Sequence, residues 1–428
     1  MDSESMDCTS QLLAIGEGDF FVSCLLHLSP EDLKACRLVN KTWNKVIKER
    51  VWGNKRARKK LEEKLLNRWN TTNPETVRLC TVPQGVRAMF CNSAHVFCGM
   101  FGGEVKVYSL TDGQWVRDLE SGEEALRVKG ICGSDSIVAA WLGGCAVAVW
   151  SSNEEMGHLH SFDTRSSTHD GLQCVVVGDI KVAGNKVVLC LEGRARYGTD
   201  STIQLVVLQE DEHNWKNKIL EPFAMPCHAF SGKLAVDGDW LAVAGKDESR
   251  SEVFKVKLWK EEMFRQDIEL PGVSADALVG DVVLESPFLV VGGTSCMGDR
   301  VIKVIKLMED LNPAASLIKT VQFPDFALDK FLCTRLFWGC LLVINGPPFT
   351  PRDNEELSLV LFGKAALLDA ANPPEETKGN VIHLGTAGYD LVDVNTTSLV
   401  FIQRIPGKDN QQQKYLCKKD FWMSNTIV

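Results

Sequence analysis

Residues 134–144 read SDSIVAAWLGG, which is a polar turn followed by an apolar run that ends in two glycines. Short apolar runs bounded by turn residues are typical of buried strands. The same kind of unit recurs as SAHVFCGMFGG (93–103), GNKVVLCLEG (184–193), GDWLAVAG (238–245), SPFLVVGG (286–293), WGCLLVING (338–346) and AGYDLVDVN (387–395). The repetition predicts one β unit that is used seven times.

The spacing of these units gives the size of the repeat. When one equivalent apolar residue is taken from each unit, consecutive units are separated by 41 residues (96 to 137) to 54 residues (187 to 241). Each unit is followed by another alternating strand, such as EVKVYSL at 104–110. Seven units of about four strands each predict a seven-bladed all-β propeller over residues 75–425. A β-sandwich, or a propeller of six or eight blades, is also compatible with this pattern.

The N-terminal 74 residues differ from the repeated segment in charge and periodicity. Residues 1–33 contain seven acidic residues and no Lys or Arg, whereas residues 34–68 contain thirteen Lys or Arg and three acidic residues. The basic stretch is compatible with nuclear import or nucleic-acid binding, but an overall pI near 5.5 gives nucleic acid little support. We predict a disordered acidic terminus at 1–15, a small all-α module at 16–53 and a basic linker helix at 54–74.

Capping residues and helical spacing define the all-α module. An apolar-rich segment at 19–28 precedes Ser29, a favourable helix N-cap, and Pro30, which suits the first helical position. A further helix is expected from Lys41, where Trp43 begins an apolar face. Three short helices bury little apolar surface, so we expect this module to rest on a partner or on another domain.

The stretch LSPEDLKACRLVNKTWNKVIKERVW, at 28–52, resembles the F-box family. Gly16-Glu17 replaces the usual opening Leu-Pro of the family, and Asn40 stands where Cys is common. The positions that match the family pattern are Leu28, Ser29, Pro30, Glu31, Asp32, Leu33, Cys36, Leu38, Val39, Lys41, Trp43 and Trp52. The repeated segment resembles WD-repeat proteins in the length of its repeat. The Gly-His signature of that family is absent, and its Trp-Asp dipeptide is reduced to Val149-Trp150 and Leu258-Trp259.

The two resemblances together imply an F-box/WD-repeat substrate receptor of a Skp–cullin–F-box ubiquitin ligase. The helical module would bind the Skp adaptor, and through it a cullin, while the propeller would hold a protein substrate. Leu33 and Trp43 are equally compatible with the core of the module. The alternative is a non-ligase scaffold on which the helices form a cap. The expected adaptor contacts are Phe20, Phe21, Leu25, Pro30, Leu33, Val39 and Trp43.

Substrate binding is expected at the long turns between the second and third strands of the third to sixth units. Cations that converge there would suit an acidic or phosphorylated peptide, although acidic residues in the same turns nearly balance them. The cationic residues are Arg194, Arg196, Lys246, Arg250, Arg300 and Arg352.

The sequence carries no recognisable catalytic or cofactor motif. It lacks a nucleophile elbow, a P-loop, a dinucleotide fingerprint and HExxH, so we expect an adaptor without enzymatic activity or cofactor. The 15 cysteines include no CxxC pair, which favours free thiols in a reducing compartment over a metal site. The acidic, polar start is unlike a signal peptide, and the longest apolar stretch is too short to span a bilayer. A cytoplasmic or nuclear location, away from membranes, follows as the expectation.

Overall fold

The computed structural model divides the described chain into two compact units. The smaller contains described residues within 1–76, 394–399 and 419–428, and the larger contains those within 77–393 and 400–418. The described ranges are 18–28, 30–39, 41–52, 54–71, 75–120, 127–143, 146–153, 155–164, 172–195, 201–211, 214–220, 223–224, 233–246, 254–273, 282–294, 300–308, 315–323, 331–337, 340–345, 357–362, 380–385, 388–395, 398–406 and 412–421.

The helices lie in the smaller unit, and local capping explains where they begin. Pro30 is the first residue of its helix, where its missing N–H costs no hydrogen bond. Asn54 caps the longest helix, because its Oδ1 accepts hydrogen bonds from the amides of Arg56 and Ala57 at 3.0 and 3.2 Å. The helices are α1 (Gly18–Leu25), α2 (Pro30–Val39), α3 (Lys41–Val46) and α4 (Lys55–Thr71), with a π-helical turn at Ile47–Trp52 between α3 and α4.

The strands of the described residues form seven antiparallel sheets, of which six have four strands and one has five, and six follow consecutive chain order along their main path. The first three sheets are β2 (Val86–Cys91), β3 (His95–Met100), β4 (Val105–Ser109), β5 (Trp115–Leu119); β6 (Val128–Gly133), β7 (Ile137–Leu142), β8 (Ala146–Ser151), β9 (His158–Asp163); and β10 (Leu172–Ala183), β11 (Lys186–Ala195), β12 (Ser201–Asp211), β13 (Asn214–Ile219), with the short β14 (Phe223–Ala224) also on β12.

The remaining four sheets complete the set, and the last of them takes its outermost strand from the start of the chain. They are β15 (Lys233–Asp237), β16 (Trp240–Lys246), β17 (Phe254–Lys260), β18 (Met263–Leu270); β19 (Val282–Glu285), β20 (Phe288–Thr294), β21 (Arg300–Leu307), β22 (Ala315–Phe323); β23 (Phe331–Phe337), β24 (Cys340–Asn345), β25 (Leu357–Phe362), β26 (Asn380–Gly385); and β27 (Gly388–Val394), β28 (Ser398–Pro406), β29 (Gln412–Asp420), β1 (Val77–Val82).

The sheets follow one another around a common axis. The first strands of successive sheets pack together, β2 on β6, β6 on β10, β10 on β15, β15 on β19 and β19 on β23. The pairing of β1 with β29 joins the two ends of the series within one sheet. This closure shifts the last repeat. The apolar run of the unit at 387–395 lies in a first strand, β27, whereas the apolar runs of the other six units lie in second strands. Because β1 supplies the fourth strand, the C-terminal segment needs only three.

The core lies between neighbouring sheets. Every residue of β7 is buried, because its alternating side chains pack on both the preceding and the following sheet. Small residues such as Ala140 and Ala148 allow the close approach of the first sheet, where Val105 and Val107 meet them. The outer strand β5 is less buried, since its first four residues are exposed and only its last residue, Leu119, is buried.

Buried or partly buried carboxylates on first strands tie neighbouring sheets together. Asp179 accepts a hydrogen bond from the amide of Leu234 at 2.9 Å, and Asp237 accepts one from the amide of Ser286 at 2.7 Å. Asp393 of β27 accepts one from the amide of Cys91 of β2 at 2.8 Å. These bonds join the third sheet to the fourth, the fourth to the fifth and the seventh to the first.

Candidate functional site: the helical unit and one end of the sheets

The helical unit has an apolar interior that includes two of the predicted adaptor contacts. Leu25 and Leu33 are 2% and 0% exposed, so these side chains belong to the core and offer no contact surface. Burial of an apolar side chain stabilises a small bundle, so its core residues and its docking residues are both apolar. The apolar pattern of the sequence therefore could not distinguish the two. Val46, Ile47, Val51, Ala57, Leu61 and Trp69 are buried with them.

Three other predicted contacts lie at the surface or at its margin. Val39, at the end of α2, is 61% exposed. Phe21 of α1 and Trp43 of α3 are half-buried, and their rings meet edge to face with centroids 5.0 Å apart. Phe20 and Pro30 fall within α1 and α2, but their side chains lie outside the described part of the structure.

Polar contacts hold these helices in place. The Nε of Arg37 donates a hydrogen bond to Oδ1 of Asn44 at 3.0 Å, which ties α2 to α3. The ammonium of Lys64 in α4 donates to the carbonyl oxygens of His27 and Leu26, at 2.7 and 3.3 Å, beyond the C-terminal end of α1. Burial, with a smaller effect of the Arg68 charge, lowers the pKa of Lys64. A cation at this place satisfies carbonyl groups that the helix itself leaves without donors.

A stacked aromatic pair connects α4 to the C-terminal segment within the same unit. The rings of Trp69 and Phe421 lie 3.9 Å apart between centroids, at an angle of 19°, and both side chains are 1% exposed. Residues 419–421 therefore contribute core to the helical unit. Sequence periodicity gave no sign of this contact, because 352 positions separate the partners (421 − 69).

The predicted substrate-binding cations are associated with one end of their sheets. Arg194 pairs with Ser201 next to the β11–β12 connection, Lys246 is the last residue of β16, and Arg300 is the first residue of β21. All three positions adjoin the connection between a second and a third strand. The side chains of these three, and Arg196, Arg250 and Arg352 as a whole, lie outside the described residues.

A cluster at the corresponding end of the first two sheets was missed by the sequence prediction. Phe101, in the turn between β3 and β4, is 52% exposed, and the guanidinium carbons of Arg87 and Arg127 lie 5.5 and 5.9 Å from its ring centroid. Within the described residues, neither guanidinium has a carboxylate partner. The aromatic residue in the glycine-rich turn GMFGG was a local signal, but the two arginines lie 14 and 26 positions away (101 − 87 and 127 − 101).

The backbone fixes this cluster at the sheet ends. The amide of Phe101 donates to the carbonyl oxygen of Gly85 at 2.9 Å, and the amide of Gly143 donates to that of Arg127 at 2.6 Å. Gly103 has φ of +98°, a conformation that glycine adopts without strain. Two guanidinium groups beside an exposed ring can bind a carboxylate or phosphate together with an apolar side chain.

The described residues contain neither a cluster of metal ligands nor a membrane-spanning helix. No group of three or more His, Cys, Asp or Glu side chains in that part of the chain could hold a metal ion. No helix among the described segments has both the length and the apolar character needed to cross a membrane.

Comparison with known proteins identifies the fold of the larger unit. No family model matches the chain, and no curated protein matches its sequence. The β-propeller domain of Cps50 (Swd1) from Myceliophthora thermophila superposes with a TM-score of 0.50 at 10% identity, covering 80% of this chain and 99% of that domain. The larger unit is a β-propeller. The computationally designed protein Ika8 superposes with a TM-score of 0.43 at 13% identity, over 80% of this chain and 99% of its own.

Proposed function

We propose that the chain is a substrate-recognition adaptor of a Skp–cullin–F-box ubiquitin ligase. The observation that carries the proposal is a small helical unit with the exposed Val39 and the half-buried Phe21–Trp43 pair, in one chain with a β-propeller. The order of elements agrees with the F-box-like motif at 28–52, in which Pro30 begins α2. The helical unit would bind the Skp adaptor, and the blades would hold a protein substrate.

Apolar contact is the expected mode of adaptor binding. Val39 offers an exposed apolar side chain on a helix end, and the edge-to-face pair of Phe21 and Trp43 supplies a larger, partly exposed apolar area. Aromatic side chains contribute much of the binding energy in protein interfaces. Leu25 and Leu33 would act indirectly, by holding α1 and α2 in position from the core.

Substrate binding is assigned to the blade ends that carry the connections between second and third strands. The cluster of Phe101, Arg87 and Arg127 gives this end an aromatic ring and two cations without carboxylate partners among the described residues. Arg194, Lys246 and Arg300 adjoin equivalent connections of later blades. A protein segment with acidic and apolar side chains fits this chemistry. The adaptor would raise the effective concentration of substrate near the ligase, without acid–base chemistry of its own.

Capture of the full-length chain by a purified Skp adaptor tests the proposal. Val39→Asp places a charge in the expected interface, and because Val39 is exposed the fold should tolerate it. Val116→Asp is the matched control, since Val116 is 39% exposed on the outer strand β5 of the propeller. The adaptor role would be supported if the Skp adaptor captured the wild type and Val116→Asp equally well and captured Val39→Asp at least about tenfold more weakly. Equal capture of both variants would refute this docking surface.

A non-ligase propeller scaffold is the second candidate. The observation that favours it is Gly16-Glu17, which stands where the F-box family has Leu-Pro. A wild-type chain that is not retained by the Skp adaptor, although folded by circular dichroism, would transfer support to this candidate. The proposed location in the cytoplasm or nucleus suits either function.

A further inference from the structure

The first strands of five blades line a half-open cavity near the axis of the propeller. Its volume is about 440 Å³, and residues of β2, β6, β10, β15 and β19 line it. The cavity is therefore built from five consecutive blades, and it is separate from the cluster around Phe101. Neither the adaptor nor the scaffold function uses it.

The charged groups that line the cavity are mainly cationic. Lys129, Lys181 and Lys233 come from three different blades, and Asp179 is the one acidic side chain among the lining residues that the structure describes. Both oxygens of Asp179 already accept backbone hydrogen bonds, from Ile180 and Leu234, each at 2.9 Å. The carboxylate is thus committed to the blade junction, so it is not available to balance Lys129 and Lys233.

Trp141 supplies a second, independent observation. This residue lines the cavity, is 9% exposed, and its indole N–H has no hydrogen-bond acceptor among the described residues. The ammonium of Lys129 lies 5.0 Å from the centroid of the same ring. Buried polar groups in proteins almost always have a partner. An unpaired donor beside an ammonium group indicates a place that suits an acceptor with negative charge.

Neither Lys129 nor Lys233 has a carboxylate partner within the described residues. Ammonium groups that face a common cavity repel one another, and a bound anion would remove that repulsion. Lysine binds phosphate groups as a point charge, without the planar geometry that arginine requires. A multivalent anion can interact with lysines of several blades at once.

We propose that the central cavity binds a small multivalent oxyanion of the phosphate class, held by Lys129 and Lys233 with Trp141 nearby. The ligand would be a free, soluble oligophosphate or phosphorylated small molecule that joins neighbouring blades across the axis. Binding should raise the unfolding temperature, because a ligand that binds only the folded state stabilises it. It should also weaken as salt concentration rises.

Titration of the full-length protein with inorganic pyrophosphate, followed by calorimetry, tests the proposal. Lys129→Met and Lys233→Met should each weaken binding about tenfold, because each removes one charged hydrogen-bond donor. Lys129→Arg should restore most of the affinity, since it keeps the cation. Lys306→Met is the matched control, because Lys306 is an exposed lysine of β21. The unfolding temperature of each variant without ligand shows whether it is folded.

A spectroscopic readout locates the bound anion. In protein with 15N-labelled tryptophan, the indole signal of Trp141, assigned through Trp141→Phe, should shift on addition of pyrophosphate and should not shift in Lys129→Met. The absence of heat and of any shift at millimolar pyrophosphate would overturn the proposal. Equal affinity in the wild type and in both cavity variants would also overturn it, by placing the anion elsewhere. A phosphopeptide that binds while pyrophosphate does not would assign the cavity to a protein ligand instead.

Discussion

Replacement of Asp393 by alanine should weaken the junction between the seventh and first blades. Asp393 is 2% exposed, and its Oδ2 accepts a hydrogen bond from the buried amide of Cys91 at 2.8 Å. Alanine cannot accept this bond, so the amide would lose its partner in a place that water does not reach. A hydrogen bond to a charged group contributes about 1.5–3 kcal/mol, and we expect a loss of about 2 kcal/mol in the free energy of unfolding.

Urea unfolding followed by far-UV circular dichroism measures this loss. With an m-value of about 3 kcal/mol/M, a loss of about 2 kcal/mol lowers the midpoint by about 0.7 M. Asp393→Asn keeps one side-chain oxygen as an acceptor and should lose less than the alanine variant. Asp239→Ala is the control, because Asp239 is an exposed carboxylate whose contact with Lys186, at 3.8 Å, is at the surface.

The comparison between Asp393→Ala and Asp239→Ala decides the result. Midpoints that are equal in the two variants would refute the reasoning, because the Asp393 carboxylate would then contribute no more than a surface group. The pairing of β1 with β29 would in that case be sufficient to close the propeller. A midpoint lowered only in Asp393→Ala would show that closure depends on both the backbone pairing and the side chain.

Three further predictions concern other parts of the chain. Phe421→Ala removes the ring stacked on Trp69 and should destabilise the helical unit by about 3 kcal/mol in chemical unfolding. Burial, together with the neighbouring His158, lowers the pKa of His160, so stability should fall as pH drops below about 6.5, and His160→Phe should reduce this dependence in thermal unfolding. Burial raises the pKa of the Cys98 thiol to about 12, so iodoacetamide should alkylate the exposed Cys24 first, as peptide mapping would detect.

The sequence predicted the propeller well because its repeat is local. A polar turn, an apolar run and a glycine recur at a blade length, and each copy reports on four strands within about 50 residues. The last blade was the exception, because its repeated unit forms a first strand and not a second one. The fourth strand of that blade, β1, comes from Val77–Val82, more than 300 residues before β29 (412 − 82 = 330). Periodicity along the chain cannot reveal a strand supplied from its opposite end.

The adaptor surface was predicted less well, for a different physical reason. Apolar spacing identifies the side of a helix that avoids water, but core and docking residues share that property. Leu25 and Leu33 proved to be core, while Val39 lies at the surface. Cations in the turns were easy to find in the sequence, whereas the cluster of Phe101 with two arginines depends on contacts between neighbouring blades. Such clusters need the fold before they can be recognised.

The proposed binding functions use separate residues, so substitutions can distinguish them. Val39→Asp lies in the helical unit and should reduce adaptor capture while pyrophosphate binding stays unchanged. Lys129→Met lies at the propeller axis and should have the opposite effect, because changes at sites without shared partners act independently. If Lys129→Met also reduced adaptor capture without pyrophosphate, the substitution would act through the stability of the chain and not through the anion. If Val39→Asp abolished pyrophosphate binding, the cavity and the helical unit would fold as one cooperative structure.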